Sequence, residues 1–173
     1  MTTYVLMAGL PGSGKSTLAN ALARELNGTV LSKDVVRTAL FPGPLTDYTR
    51  GQDDLCFEMV LKAANYLATH GRTEFIFLDG RTFSRRAQIE EAIGAAESTG
   101  CKWRIFHAIC PDAIAEARLI EDVSHPAANR TVAMYREVKA RFEPISYPHK
   151  EIDTSLPLAV CVERALRYLW GAT

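Results

Sequence analysis

Short apolar runs alternate along this chain with segments whose apolar positions recur every three to four residues. The runs at 4–8, 29–32, 74–78, 103–110 and 151–153 are too short for helices and read as strands. Between them the period lengthens. Leu18, Leu22 and Leu26 share one face of a helix over 16–26, and Asn27-Gly28 stops it. A helical turn with Val35, Val36, Arg37 and Leu40 follows the second strand, until Pro42-Gly43-Pro44 breaks it. A helix over 53–70 is expected to bury Leu55, Met59, Ala63 and Leu67. Ser84 is expected to cap a helix with Ile89, Ile93 and Ala96 inward, and Pro111-Asp112 opens another. Thr131 starts a helix with Met134, Val138 and Phe142 inward. Pro157 starts the last, which packs Val162, Ala165, Leu166 and Leu169.

Strand and helix alternate through the whole sequence, which predicts an α/β fold with a five-stranded parallel sheet sandwiched by helices. The pattern shows no linker or repeat, so residues 1–173 are expected to form one domain. Two stretches interrupt it. One is a long polar loop over 41–52, carrying Asp47, Tyr48 and Arg50. The other, 118–130, mixes Glu121, Asp122, Ser124, His125, Pro126 and Asn129 and is expected to be an exposed lid.

The most informative polar break joins the first strand to the first helix. Gly9-Leu10-Pro11-Gly12-Ser13-Gly14-Lys15-Ser16 matches G-x-x-x-x-G-K-[ST] in the strand–loop–helix context that motif needs. The glycines let successive backbone N–H groups turn inward on an anion, and the helix N-terminus adds partial positive charge. The run through Thr17 is therefore expected to bind ATP, with Lys15 reaching the β- and γ-phosphates and the Ser16 hydroxyl on Mg²⁺. The expected fold is accordingly a P-loop NTPase.

Composition narrows the partners. Lys plus Arg equals Asp plus Glu, 20 of each, so the chain lacks the overall basic charge common in dedicated nucleic-acid domains. Cys56, Cys101, Cys110 and Cys161 show no zinc spacing and read as reduced core residues. His70, His107, His125 and His149 show no metal spacing either. The sequence suggests neither a membrane span nor a signal peptide, and a cytoplasmic location is expected.

Ligands of parallel sheets bind outside the carboxyl ends of the strands, and two carboxylates stand there, Asp34 and Asp79. Phosphoryl transfer to a hydroxyl needs a base or orienting group and a group that holds Mg²⁺ or its waters. Asp34 fits the first role, one helical turn from Arg37. Asp79 ends an apolar run as a Walker-B acid does, and fits the second through water. A guanidinium stabilises charge on a transferring phosphoryl group; Arg118 and Arg130 flank the lid and are the candidates. Arg37 and Arg81, with Arg85 and Arg86, are candidates for contacting substrate, above all an anionic one.

The P-loop, Ser32-Lys33-Asp34-Val35-Val36-Arg37, Leu78-Asp79-Gly80 and the excursion from Arg118 together resemble the P-loop kinase-like family. That family includes polynucleotide 5′-kinase, zeta toxins, chloramphenicol phosphotransferase and seryl-tRNA kinase. The stretches 79–86 and 125–130 are also similar to small "AAA family ATPase" proteins grouped with it. The resemblance implies that Asp34 is the general base, that Arg37 binds a substrate phosphate, that Asp79 sits at the metal and that Arg118 is the first lid arginine. The second lid arginine of the polynucleotide kinase pattern falls near Glu121 or Asp122, so the lid must differ, with Arg130 as the substitute. The leading expectation is an ATP- and Mg²⁺-dependent kinase for a small-molecule hydroxyl. Alternatives are the same transfer to a polynucleotide or tRNA-linked hydroxyl, and a regulatory ATPase without kinase activity. The G-protein motifs Asp-x-x-Gly and Asn-Lys-x-Asp and the transporter motif Leu-Ser-Gly-Gly are missing, which argues against those classes.

Overall fold

The structure is a computed structural model and is described for residues 1–122 and 131–171. Its strands are β1 (Thr3–Ala8), β2 (Thr29–Ser32), β3 (Phe75–Asp79), β4 (Lys102–Ile109) and β5 (Lys150–Asp153). Its helices are α1 (Lys15–Glu25), α2 (Lys33–Leu40), α3 (Arg50–Thr69), α4 (Arg86–Ser98), α5 (Asp112–Glu121), α6 (Val132–Ala140) and α7 (Leu158–Leu169). The strands form one sheet in the order β2-β3-β1-β4-β5, and every pairing is parallel.

β1 lies at the centre, which accounts for its unbroken apolar run: a strand covered on both faces needs no polar side. Its side chains divide by parity. Tyr4, Leu6 and Ala8 enter the core shared with α3 and α4, while Val5 and Met7 enter the core shared with α1 and α7. The register sets Leu6 beside Leu78 of β3 and Ser32 of β2 beside Asp79. The P-loop, α2 and Asp79 therefore emerge together at one end of the sheet.

Three sequence expectations are corrected. The buried row of α3 is Cys56, Phe57, Val60, Leu61 and Ala64, whereas Leu55 is 43% exposed. The helix begins earlier, capped by Thr49, whose hydroxyl accepts from the Gln52 N–H. Gln52 is buried, and its amide binds the Leu45 carbonyl and the Asp47 N–H, tying down the loop before it. That polar anchor turns the helix by about one residue relative to the row that apolarity alone selects. Ser84 does not cap α4; Arg85 occupies the cap position, and its N–H donates to the Gln88 side chain. Phe142 lies beyond the end of α6 and stacks on His107, while Tyr135 is the larger residue that α6 buries. Thr131 does cap α6, accepting from the Met134 N–H.

Candidate active site

The three loop glycines are held where a side chain would not fit. Gly9, Gly12 and Gly14 have φ of 143°, 76° and 77°. A Cβ on Gly9 would lie 2.5 Å from the Ala108 carbonyl oxygen, and one on Gly12 2.5 Å from that of Ala115. The loop is thus wedged between the end of β4 and α5, and its backbone is fixed before any anion arrives. Lys15 is buried and donates from Nζ to the Leu10 carbonyl at 3.1 Å, folding back over the loop it serves.

The first lid arginine is not free in solvent. Arg118 belongs to α5, and its Nη2 donates to the Thr154 carbonyl at 2.7 Å and its Nη1 to the Thr154 hydroxyl at 3.1 Å. Thr154 in turn donates its hydroxyl to the Ser13 carbonyl at 2.7 Å. The guanidinium thereby fastens the P-loop to the residue after β5. Arg130 and His125 lie outside the described residues, as does most of the expected lid.

Asp34 opens α2, buried, in a compact charge cluster. Its Oδ1 accepts from Arg37 Nη1 at 2.8 Å and lies 3.7 Å from Lys33 Nζ. Asp53, in the first turn of α3, pairs with both Lys33, at 2.9 Å, and Arg37. Tyr48, with φ of 53°, brings its ring to 5.1 Å from the Arg37 guanidinium. Burial lowers the Lys33 pKa to about 8; Asp34 opposes the shift, while Arg37 and Arg81 reinforce it. Arg81 is buried too, and its guanidinium pairs with Asp54 at 2.6 Å and Glu91 at 3.4 Å, above the Phe57 ring. These pairs hold it in the wall of the second cavity.

Asp79 is 4% exposed, and among the described residues its Oδ1 has no hydrogen-bond partner. A Cβ on the next residue, Gly80, would lie 2.9 Å from the Lys33 and Asp34 nitrogens, so the end of β3 abuts the start of α2. A buried carboxylate oxygen left unpaired is costly unless something binds it. A hard carboxylate oxygen of this kind suits Mg²⁺ or one of its waters.

Two cavities meet at this point. One, of about 490 Å³, is lined by Gly12 through Leu18 except Ser13, with Arg118, Thr154, Leu156 and Leu158 among its other walls. The second, of about 540 Å³, is lined by Lys33, Asp34, Arg37, Tyr48 and Arg81 and by parts of α4 and α6. Lys15 and Ser16 line both. The sequence reading gave no role to Lys33, Asp53 or Thr154. Thr154 had a signal, since it directly follows the last strand at its carboxyl end. Asp53 had only its place in a first helical turn.

A phosphate cradle, a carboxylate facing it across a shared lysine, and a parallel sheet of this order define a P-loop kinase-like fold. The chain belongs to the AAA_33 family (AAA domain), whose model matches residues 5–145. No curated protein matches it. Among solved structures it is similar to an APS kinase from Mycobacterium tuberculosis in complex with AMPPNP and APS (16% identity, 98% of each chain covered, TM-score 0.74). It is likewise similar to a sugar kinase from Janibacter sp. HTCC2649 (18% identity, 98% of this chain and 95% of that one, TM-score 0.71). A gluconokinase from Sinorhizobium meliloti 1021 aligns at 18% identity over 98% of this chain and 91% of that one, TM-score 0.63. At such identities the likeness is one of fold. No helix among the described residues is long and apolar enough to cross a membrane.

Proposed function

We propose that the chain is an ATP- and Mg²⁺-dependent kinase that moves the γ-phosphoryl group of ATP to a hydroxyl of a small anionic molecule. The observation that carries this is the pair of cavities joined at Lys15 and Ser16, one walled by the P-loop and one by Asp34. A switch that only hydrolyses ATP has no need of a second cavity carrying a carboxylate base. In this reading the loop amides and Lys15 hold the triphosphate. Mg²⁺, when bound through Ser16 and Asp79, neutralises charge on the phosphates. Asp34 accepts the proton of the attacking hydroxyl, using Oδ2 while Arg37 occupies Oδ1. Arg118 keeps the cradle in shape from behind, and Arg130 is the lid candidate for charge on the transferring group.

The acceptor's charge follows from the lining of the second cavity, where seven cationic side chains face four carboxylates although the chain as a whole is neutral. Asp34, Asp53 and Asp54 answer Lys33, Arg37 and Arg81. Arg85, at the start of α4, has no such partner among the described residues. A carboxylate, phosphate or sulfate on the acceptor would supply it. The kinase neighbours named for sugar, gluconate and APS make a small-molecule acceptor the natural class to test.

Incubation with γ-labelled ATP and a panel of neutral and anionic hydroxyl compounds and oligonucleotides tests this reading. Label is expected on an anionic small molecule. Label on the oligonucleotide alone, lost as salt is raised, would transfer the chain to the nucleic-acid kinases. ATP hydrolysis unaffected by every acceptor would leave a regulatory ATPase.

Lys33 adds a pH signature. Above about pH 8 it loses its proton, and Asp34 and Asp53 lose a cation. Turnover is expected to fall with an apparent pKa near 8, and the fall should move to higher pH in Lys33→Arg. Stability should run the other way. The folded pKa lies below the ordinary value of 10.5, so the unfolded chain binds more protons between about 8 and 10.5. This group's contribution to stability therefore rises with pH through that window, and below it the cost of burying the charge is fully present. Urea titrations of the wild type and Lys33→Met at pH 7.5 and about 10 would read it: the stability of the wild type relative to the variant should rise at the higher pH.

A further inference from the structure

Away from both cavities, at the β4–β5 edge of the sheet, three side chains converge that the proposed kinase chemistry leaves unused. His107 on β4 and Glu151 on β5 are register partners, and His107 Nδ1 lies 3.5 Å from a Glu151 carboxylate oxygen. His149, just before β5, brings its ring centroid to 5.9 Å from that of His107. One candidate ligand atom from each of the three lies within 4.8 Å of the other two, and no other such trio occurs among the described residues. We propose that His107, His149 and Glu151 bind a zinc ion that clamps the connection between α6 and β5 to the edge of the sheet.

Three features set this cluster apart from a chance meeting of surface groups. The first is the donor set. Two imidazoles and a carboxylate suit zinc, whose tetrahedral sites take His nitrogen and carboxylate oxygen at about 2.0–2.2 Å and accept water as a fourth ligand. A tetrahedron of that size spaces its ligands by a little over 3 Å. The 3.5 Å approach of His107 to Glu151 is already close to that spacing. The second is orientation. His149 Nδ1 lies 2.9 Å from the Tyr147 carbonyl, which fixes the tautomer with the proton on Nδ1 and leaves Nε2 with its lone pair for a metal. The third is the immobilisation of His107, whose ring stacks on Phe142 at 5.5 Å between centroids.

The clamp has a consequence for the fold. β5 is a short edge strand, and the segment 141–149 that leads to it has no regular structure. The same connection follows directly from α6, whose Met134, Glu137 and Val138 line the second cavity. A metal joining its far end to β4 would cross-link residues 42 positions apart in sequence (His107 and His149) and stiffen that wall.

Tag-free protein, freed of metal by chelation and then dialysed, should bind one equivalent of zinc by calorimetry with a dissociation constant below about 1 µM, and its melting temperature should rise by several degrees. Cobalt in place of zinc should give the intense visible bands of a tetrahedral site. His149→Gln, at a half-buried position, and Glu151→Gln, at an exposed one, spare the two rings of the His107–Phe142 stack and should each weaken binding at least tenfold. His107→Ala is the harsher variant, with its folding checked by circular dichroism. The inference is overturned if wild-type protein fails to bind zinc, if both glutamine variants bind as the wild type does, or if Cys101→Ser or Cys110→Ser is what abolishes binding. None of these results depends on ATP or on phosphoryl transfer, so the kinase reading stands or falls separately.

Discussion

Asp34→Asn should lower kcat by about 10²–10⁴-fold while leaving the affinity for ATP within a fewfold of the wild type. The asparagine keeps the shape of the side chain and can still accept the hydrogen bond from Arg37 Nη1, now 2.8 Å from Asp34 Oδ1. It cannot take a proton from a hydroxyl. The geometry of the P-loop is fixed by its own glycines and their neighbours in β4 and α5. The substitution also removes a charge from a buried cluster, leaving Lys33 and Arg37 with Asp53 alone. A loss of roughly 1–3 kcal/mol of stability is therefore expected beside the kinetic effect. Measuring turnover well below the melting temperature, together with ATP affinity by calorimetry, separates the two. Phosphoryl transfer at the wild-type rate in this variant would remove Asp34 from the role of base. A fall in ATP affinity as large as the fall in kcat would instead mean that the cluster props up the cradle.

The sequence revealed the cradle, the five strands and the alternation because each rests on local chemistry. A phosphate loop needs glycine at fixed places, and a central strand needs an unbroken apolar run. The carboxyl-end rule then brought Asp34 and Asp79 to the same end of the sheet as that loop. What stayed hidden depends on partners distant in sequence. The pairing of Arg81 with Asp54 and Glu91, 27 and 10 positions away, has no signal in the sequence. Nor have the two hydrogen bonds from Arg118 to Thr154, 36 positions on. The face of α3 was misjudged because the buried residue that fixes its start is Gln52, and hydrophobic periodicity gives no weight to a buried amide. His107 and His149 showed no metal spacing along the chain, since only the β4–β5 pairing brings them together.

Lys15→Met should abolish detectable transfer, by about 10³-fold or more in kcat/KM, and unlike Asp34→Asn it should weaken ATP binding as well. Lys15 Nζ donates to the Leu10 carbonyl, a bond it would exchange for phosphate oxygens on binding ATP. Methionine keeps most of the buried stem, and the lost hydrogen bond costs about 1 kcal/mol, so the fold should survive. Arginine is no conservative rescue, because a planar fork does not fit a pocket built for a compact ammonium beneath the loop. Lys15 lines both cavities, and in the proposed reaction its charge would act on the phosphoryl group as it passes from donor to acceptor. Combining Lys15→Met with Asp34→Asn supplies the sharper test. If both groups act on one transition state, the double variant should be scarcely worse than Lys15→Met alone. Losses that simply multiply would mean that Asp34 serves a step in which the transferring phosphate plays no part.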